Sequence, residues 1–192
     1  MKVNLANKLT ILRVFLVPVF MLVIMLPLPG EWSNIIGAAI FILTALTDTL
    51  DGIVARRSNT VTDFGKFLDP LADKFMIFGA LLAILVKQRE ISYIFIWVAI
   101  LVILRELAVT SLRLIVSGKD STVVAAKFIG KLKTVLQIVC IVTLLLDRAV
   151  TKTWPTPDYL LSYIAMAVMT IVTLWSGYSY LRQYWSYIDI NK

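Results

Sequence analysis

Four aspartates stand in sequence that is otherwise apolar enough to lie within a membrane. Asp48 and Asp51 end one hydrophobic run, and Asp69 and Asp73 begin the next. On insertion scales an aspartate at the bilayer centre costs roughly 2.5 to 3.5 kcal/mol, so four would cost about 10 to 14 kcal/mol without water or cations. The fold must therefore supply these carboxylates with water, with cations or with both.

The spacing of the aspartates predicts how they are arranged. Asp48 and Asp51 are three residues apart and Asp69 and Asp73 are four apart, so each pair lies on one face of a helix. The ends of two helices then present four carboxylates to a common space. The chain has no histidine and one cysteine, Cys140, which argues against zinc, whereas clustered carboxylate oxygens favour Mg²⁺ or Mn²⁺. Two such ions would suit in-line attack on a phosphorus centre, with a diphosphate as the expected substrate.

Composition defines the class of protein. Of the 192 residues, 59% are hydrophobic, compared with about 45 to 50% in soluble domains. We therefore expect an all-α integral membrane protein, a single domain over residues 1–192, with the active site between six transmembrane helices that leave only short connections. The predicted spans are residues 5–26, 33–57, 63–86, 91–116, 127–146 and 159–184.

The net charge of +7 favours anionic partners. The basic residues are scattered between apolar runs and form no block, so anionic membrane lipids and phosphate substrates are expected, and no nucleic acid. Most of them fall on one side if that side holds both termini and the connections after the second and fourth spans. The rule that basic loops face the cytoplasm then predicts a multi-pass protein of the plasma or inner membrane, with both termini and the active site cytoplasmic.

Two local features of the first and third spans leave alternatives open. Asn7, Thr10 and Arg13 recur every three residues and make a polar stripe, which either contacts lipid headgroups at the interface or belongs to the site. Pro70 deprives the carbonyl of Lys66 of its helical partner unless it falls in the first turn. A kink or a late helix start beside Asp69 is therefore expected.

The aspartates belong to a longer pattern: D-x-x-D-G-x-x-A-R, then eight residues, then G-x-x-x-D-x-x-x-D. This pattern resembles the motif of the CDP-alcohol phosphatidyltransferases. The resemblance implies that the four aspartates hold two divalent cations, Mg²⁺ or Mn²⁺, and that Asp73 is also the general base. It implies a nucleotide site made by Gly52, Ala55, Arg56, Thr62 and Gly65, and it suggests a homodimer.

Sequence outside the motif narrows the expected substrates. The segments GKFLDPLADK, ILRELAVTSLR and GKLKTVLQ are similar to family members that transfer a phosphatidyl group from CDP-diacylglycerol to glycerol 3-phosphate and release CMP. Members whose acceptor is the lipid phosphatidylglycerol are the alternative. An ion-coupled transporter with intramembrane carboxylates is a rival from another class, but the motif has no inverted repeat in the second half of the chain.

Basic residues of the fourth and fifth spans are candidates for binding the acceptor's phosphate. Glu106 and Arg113 are almost aligned on one helical face, so a structural ion pair between them is one interpretation, and Lys131 and Lys133 could simply attract anionic lipid. Arg105 and Arg113 nevertheless carry more positive charge than Glu106 neutralises. We therefore predict a phosphate pocket of Arg105, Arg113, Lys131 and Lys133, in which Glu106 orients one arginine.

Overall fold

Six α-helices alternate in direction through the part of the chain that the structure describes. A computed structural model describes residues 5–58, 63–119, 128–153 and 157–185. The helices are α1 (Leu5–Met25), α2 (Trp32–Ser58), α3 (Asp63–Lys87), α4 (Ser92–Lys119), α5 (Phe128–Thr151) and α6 (Leu160–Tyr184). Helix α1 packs against α2 and α3, α4 packs against α6 and α3, and α5 packs against α6, α2 and α3.

The helical prediction is confirmed over the described residues, and the protein is a membrane protein. Four helices, α1, α4, α5 and α6, are long and apolar enough to cross a membrane, while α2 contributes a shorter apolar segment, Trp32–Thr47. Charged residues of the aspartate motif occupy the rest of α2 and the first part of α3. The predicted spans match the observed helices to within a few residues, except that α5 continues five residues beyond position 146.

Helix α3 runs through Pro70 without a break in helical structure. Of the two alternatives that the sequence offered, a late helix start is wrong, because α3 begins at Asp63, seven residues before the proline. Pro70 therefore lies in the helix interior, where its ring leaves one backbone carbonyl of the preceding turn without an amide partner.

Helix α1 is held close to its neighbours because two glycines provide room. A Cβ at Gly37 of α2 would lie 2.7 Å from Cγ1 of Ile24, and one at Gly79 of α3 would lie 2.6 Å from Cγ1 of Val17. Both distances are shorter than real Cβ contacts, so side chains of α1 lie directly against the backbones of α2 and α3 at these glycines. Larger side chains at either glycine would push α1 away from the bundle.

The apolar residues divide between a core and an outer surface. Leu81, Ile84 and Phe95 are completely buried between the helices, whereas Trp97 and Leu104 are 72% and 66% exposed on the outside of α4. A soluble protein rarely exposes contiguous apolar surface of this kind. In a bilayer the same surface contacts lipid tails, which agrees with the assignment as a membrane protein.

At one end of the bundle a buried carboxylate caps a helix from a distance. The residue before α6, Tyr159, has φ of 60° and makes no side-chain cap. Asp147 of α5, only 1% exposed, accepts hydrogen bonds from the backbone N–H of Ser162 (2.9 Å) and from its hydroxyl (2.6 Å). One of the amides that the first turn leaves without an intrahelical partner is thereby satisfied, and the negative charge suits the helix N-terminus.

The same end carries ion pairs between connections that are distant in sequence. Nζ of Lys152 lies 2.7 Å from Glu31, and Nη1 of Arg148 lies 3.3 Å from Glu90. The guanidinium of Arg148 also sits 5.7 Å from the ring centre of Tyr159. The aromatic ring of Tyr159 therefore faces a cation at this end of the bundle.

Candidate active site

A cavity of about 370 Å³ opens between α3, α4 and α5 at the other end of the bundle. Its walls combine charged, amide and hydroxyl side chains with a few apolar ones. They are formed by Pro70, Asp73, Lys74 and Ile77 of α3, by Arg105, Glu106, Val109, Thr110 and Arg113 of α4, and by Gly130, Lys133, Thr134 and Gln137 of α5. The sequence-predicted base and three of the four predicted phosphate ligands therefore share one cavity.

Helix geometry orders the lining residues by depth. Successive residues rise about 1.5 Å along a helix, so Arg105 lies about 12 Å along α4 from Arg113, and Gln137 lies about 6 Å along α5 from Lys133. Since α4 runs toward this end of the bundle and α5 runs away from it, Arg113 is near the mouth and Gln137 is near the floor. Asp73 on α3 lines the same cavity.

A carboxylate and two cations form the most buried charged group of the cavity. Glu106 makes ion pairs with Nζ of Lys133 on the neighbouring α5 and with Nη1 of Arg105 at 3.5 Å on its own helix. The three side chains are only 6% (Lys133), 10% (Arg105) and 15% (Glu106) exposed. Buried charges are retained only when they are paired or bind an ion, so this cluster is held together by mutual attraction.

Glu106 thus has different partners from the one that its position along α4 suggested. In the described residues it pairs with Lys133 and Arg105, and Arg113 donates instead to the hydroxyl of Tyr180 at 2.9 Å. The structural Glu106 to Arg113 pair is therefore replaced by contacts between helices. The interpretation that Glu106 orients an arginine agrees with its contact to Arg105.

Helix α6 supports both arginines from behind. Arg105 donates from Nη2 to the hydroxyl of Ser176, and the Tyr180 ring lies 5.7 Å from the guanidinium of Arg105 and 5.3 Å from that of Arg113. A Cβ at Gly177 would meet Cγ of Arg105 at 3.4 Å, so the arginine stem lies against the backbone of α6. Arginine stacked on an aromatic ring keeps a fixed direction, which preorganises it for an anion.

The two aspartates of α3 differ in their surroundings. Asp73 is partly buried and lines the cavity, whereas Asp69, one turn earlier, is exposed. Oδ1 of Asp69 accepts a hydrogen bond of 2.7 Å from the hydroxyl of Thr10 on α1. Thr10 is 1% exposed, and Asn7 and Arg13 are buried with it, so the polar stripe lies inside the bundle. The headgroup alternative for this stripe is wrong, and Thr10 connects the stripe to the aspartate motif.

The donor chemistry on α3 fits a hard divalent cation. Asp69 and Asp73 present carboxylate oxygens from successive turns of one helix face, and oxygen ligands of this kind suit Mg²⁺ or Mn²⁺. Among the residues with described side chains no group of three acidic, histidine or cysteine ligands occurs. Asp48 and Asp51 lie in α2, but their side chains are outside that set.

For most of the remaining predicted site residues the structure describes the helix but not the side chain. Helix α2 contains Gly52, Ala55 and Arg56, whose side-chain positions are not described, and Thr62 lies outside the described residues. Gly65 is buried in the first turn of α3. Lys131 belongs to α5, but its side chain is also outside the described set.

Several cavity residues were missed by the sequence analysis. Lys74, Thr110, Thr134 and Gln137 line the cavity, and Tyr180 positions two arginines. The sequence of α6 could have indicated Tyr180, because polar residues recur there at helical spacing in an apolar run. These residues are Thr173, Ser176 and Tyr180, and all three are buried. Gln137 follows Lys133 by one turn, which places both on one face of α5.

Comparison with known proteins identifies the family that this chain resembles. Residues 3–175 match the family model for CDP-alcohol phosphatidyltransferase. Its curated relatives include three proteins with the name CDP-diacylglycerol–glycerol-3-phosphate 3-phosphatidyltransferase. The Bacillus subtilis (strain 168) protein is 37% identical, with 98% of this chain and 99% of the relative covered. The Yersinia pestis (strain Pestoides F) protein is 38% identical with 97% of each covered, and the Shigella flexneri serotype 5b (strain 8401) protein is 39% identical with 94% of each covered. Members of the matching family generally use divalent metal ions.

Proposed function

Because the chain belongs to the CDP-alcohol phosphatidyltransferase family, we propose that it transfers the phosphatidyl group of CDP-diacylglycerol to glycerol 3-phosphate, giving phosphatidylglycerophosphate and CMP. The observation that carries this proposal is the cavity in which Asp73 faces three cationic side chains, Arg105, Arg113 and Lys133, inside a membrane bundle. A phosphorylated alcohol needs both parts: cations for its phosphate and a carboxylate for its hydroxyl.

The proposed reaction forms one bond to phosphorus, breaks another and transfers one proton. A hydroxyl oxygen of the acceptor attacks the donor phosphorus that bears the diacylglycerol, and the bond from that phosphorus to the CMP oxygen breaks. The proton of the hydroxyl passes to the carboxylate of Asp73, and CMP leaves with the bonding electrons. An ionised aspartate is a modest base, so its placement in the cavity matters more than its basicity.

Two divalent cations, Mg²⁺ or Mn²⁺, are proposed to be held by Asp48, Asp51, Asp69 and Asp73. When bound they would neutralise the donor's diphosphate and stabilise the attacking and leaving oxygens. The support from the structure is the presentation of Asp69 and Asp73 on one face of α3, with Asp69 oriented by Thr10. Full activity in excess chelator would contradict this part of the proposal.

The nucleotide is proposed to lie against α2 and the start of α3. Gly52 and Ala55 stand one helical turn after Asp48 and Asp51, so the carboxylate face has little side-chain bulk and leaves room for cytidine. Arg56, Thr62 and Gly65 complete this group by their positions in the motif, the first two as contacts to the nucleotide. Replacing Ala55 with leucine should raise the KM for CDP-diacylglycerol more than that for the acceptor.

The acceptor's phosphate is proposed to bind Arg105, Arg113 and Lys133, with Lys131 as a further cation. Lys74 also lines the cavity, so it contains four positive charges against the two negative ones of Asp73 and Glu106. The described side chains therefore leave two net positive charges for a phosphate with close to two negative charges. Lys133→Gln should raise the KM for glycerol 3-phosphate by about 10-fold or more, since a charge-assisted contact contributes about 1.5 to 3 kcal/mol.

A matched control for that measurement lies at the opposite end of the bundle. Lys152 also pairs with a glutamate, Glu31, and is remote from the cavity. Lys152→Gln should leave both KM values unchanged. If Lys133→Gln raises the KM for both substrates equally, the lysine supports the fold or the metal site and does not bind the acceptor.

The decisive experiment is CMP release by the purified protein from CDP-diacylglycerol with a panel of acceptors. We expect glycerol 3-phosphate to support turnover and Asp73→Asn to abolish most of it while donor binding persists. Turnover with phosphatidylglycerol and none with glycerol 3-phosphate would assign the lipid acceptor instead. Solute or cation uptake into liposomes without CMP formation would assign a transporter.

Location and assembly complete the proposal. We place the protein in the plasma or inner membrane as a multi-pass protein, with six spans and with both termini and the cavity on the cytoplasmic side, where basic residues concentrate. The excess positive charge would also attract anionic lipids at that surface. A homodimer is expected from the family, and the mass of the detergent-solubilised protein measured by light scattering tests it.

A further inference from the structure

One buried side chain at the floor of the cavity has a hydrogen-bonding capacity that the protein does not use. Gln137 is 1% exposed and lines the cavity between α3, α4 and α5. Neither its amide nitrogen nor its amide oxygen has a hydrogen-bond partner within the described part of the chain. Buried amides are almost always hydrogen-bonded, so both ends of this group are available to something that enters the cavity.

A second buried glutamine shows what an ordinary structural role looks like in the same protein. Gln88 is 3% exposed at the opposite end of the bundle, and its Nε2 donates to the backbone carbonyl of Leu144 on α5. It thereby joins the end of α3 to α5. Gln137 has no comparable contact in the described residues, and it faces a cavity rather than a neighbouring backbone.

The chemistry of the amide selects the kind of group that would satisfy it. The nitrogen donates and the oxygen accepts, so the complement must both accept and donate. A phosphate dianion only accepts and would leave the oxygen without a partner, and a cation would bind the oxygen alone. An alcohol hydroxyl accepts at its oxygen and donates its hydrogen, and it matches both functions.

The position of Gln137 fits a hydroxyl next to a bound phosphate. It lies on the same face of α5 as Lys133, one turn deeper, and across the cavity from Asp73. Two threonines, Thr110 and Thr134, line the same space. These uncharged hydrogen-bonding groups lie beside the cations of the cavity, which suits a small molecule that carries both a phosphate and hydroxyls.

We propose that Gln137 is a specificity-determining residue that binds the acceptor hydroxyl which does not react. This role rests on the proposed function. Glycerol 3-phosphate has two hydroxyls: the terminal one faces Asp73 and attacks the donor, and the middle one exchanges hydrogen bonds with the Gln137 amide. Gln137 thereby selects a phosphorylated diol over a phosphorylated simple alcohol.

The test compares glycerol 3-phosphate with 3-hydroxypropyl phosphate, which keeps the phosphate and the terminal hydroxyl but lacks the middle one. A site built to bind a hydroxyl discriminates against the analogue without it, because its own polar groups are then left unpaired. We expect the wild-type kcat/KM to favour glycerol 3-phosphate by about 10-fold or more. In Gln137→Met, which has similar volume but no amide, the preference should fall to about 2-fold or less.

A second variant and a control keep the result interpretable. Gln137→Asn retains the amide but shortens its reach, so it should also lose the preference, and it serves if the methionine variant does not fold. Gln88→Met removes the amide of the second buried glutamine and should keep the wild-type ratio even if it lowers stability. The KM for CDP-diacylglycerol should stay constant in both Gln137 variants.

The outcomes separate the inference from the function on which it rests. A wild-type ratio near one, or a ratio unchanged in both Gln137 variants, would overturn the role of Gln137 while leaving the transferase function intact. No CMP release with glycerol 3-phosphate in the wild type would overturn the proposed function itself, and this role with it.

Discussion

The hydrogen bond between Thr10 and Asp69 joins residues 59 positions apart and gives a sharp prediction for metal binding. Thr10→Val has nearly the same shape as threonine but cannot donate to Oδ1 of Asp69. Because Thr10 is only 1% exposed, its hydroxyl has essentially no access to bulk water. The variant should therefore lose orientation of the carboxylate with little change in packing.

The expected size of the effect follows from the surroundings of both residues. A hydrogen bond to a charged group contributes about 1.5 to 3 kcal/mol. Asp69 is exposed and can recover hydration when the bond is lost, which places the cost near the lower limit, about 1.5 kcal/mol, or roughly 10-fold in an equilibrium constant. Loss of an outer contact to a metal ligand typically weakens metal binding by about 10- to 100-fold. We expect the half-saturating metal concentration to rise about 10-fold.

The assay is CMP release measured across a titration of Mg²⁺ or Mn²⁺ at saturating substrates. Thr10→Ser keeps the hydroxyl and should restore wild-type half-saturation. Thr170→Val is the matched control, because Thr170 is partly buried on α6 and its hydroxyl donates to the carbonyl of Met166 in its own helix at 2.7 Å. The reasoning is refuted if Thr10→Val titrates like wild type, or if Thr170→Val shifts the titration equally.

Three further predictions concern the opposite end of the bundle and the membrane orientation. Asp147→Asn should destabilise the protein by about 2 kcal/mol, because it weakens two buried hydrogen bonds to the start of α6. The melting temperature in detergent should fall by about 4 to 8 °C, while the half-saturating metal concentration should not change. Burial raises the pKa of Glu31, but its hydrogen bond from Lys152 and the nearby positive charges outweigh that and hold the pKa below its ordinary value of 4.5. Ionised Glu31 therefore stabilises the folded protein above pH 4.5, and this stabilisation is lost as the pH falls through the lowered pKa. Glu31→Gln should reduce the loss of stability in acid by less than about 1 kcal/mol, because Lys152 is 58% exposed. An acid melting curve that is the same in the variant as in the wild type would contradict this. The chain's one native cysteine is buried, so Thr153→Cys should be labelled by a membrane-impermeant maleimide in intact spheroplasts and Lys8→Cys only after permeabilisation; the reverse pattern would invert the proposed orientation.

The amino-acid sequence by itself determined the helices and the faces that carry chemistry. Runs of apolar residues interrupted by polar turns located each helix to within a few residues, apart from the end of α5, because helix formation depends on local hydrogen bonds and on length. The spacing of Asp69 and Asp73 placed both on one face of α3 for the same local reason. Resemblance to a family then suggested the chemistry, since the chain contains the eight motif positions in order, and the family model matches residues 3–175.

The partners of the charged residues could not be read in the same way. The helical period aligns Glu106 and Arg113 on one face of α4, yet the partners of Glu106 are Arg105 and Lys133, and Arg113 contacts Tyr180. A buried charged side chain pairs with the opposite charge that is nearest in space. Which charge is nearest depends on how α4, α5 and α6 pack against one another. The spacing of residues along one helix does not specify how that helix packs against its neighbours.

Tertiary structure alone also decided which polar groups lie in the site and which hold the fold. Thr10 reaches Asp69 because small residues let α1 approach α3, and Asp147 caps α6 because the ends of α5 and α6 meet. Gln88 and Gln137 are the same type of residue, but Gln88 donates to a backbone carbonyl and Gln137 lines a cavity. The difference arises because the hydrogen bonds available to a buried side chain are set by neighbouring helices, which sequence spacing does not specify.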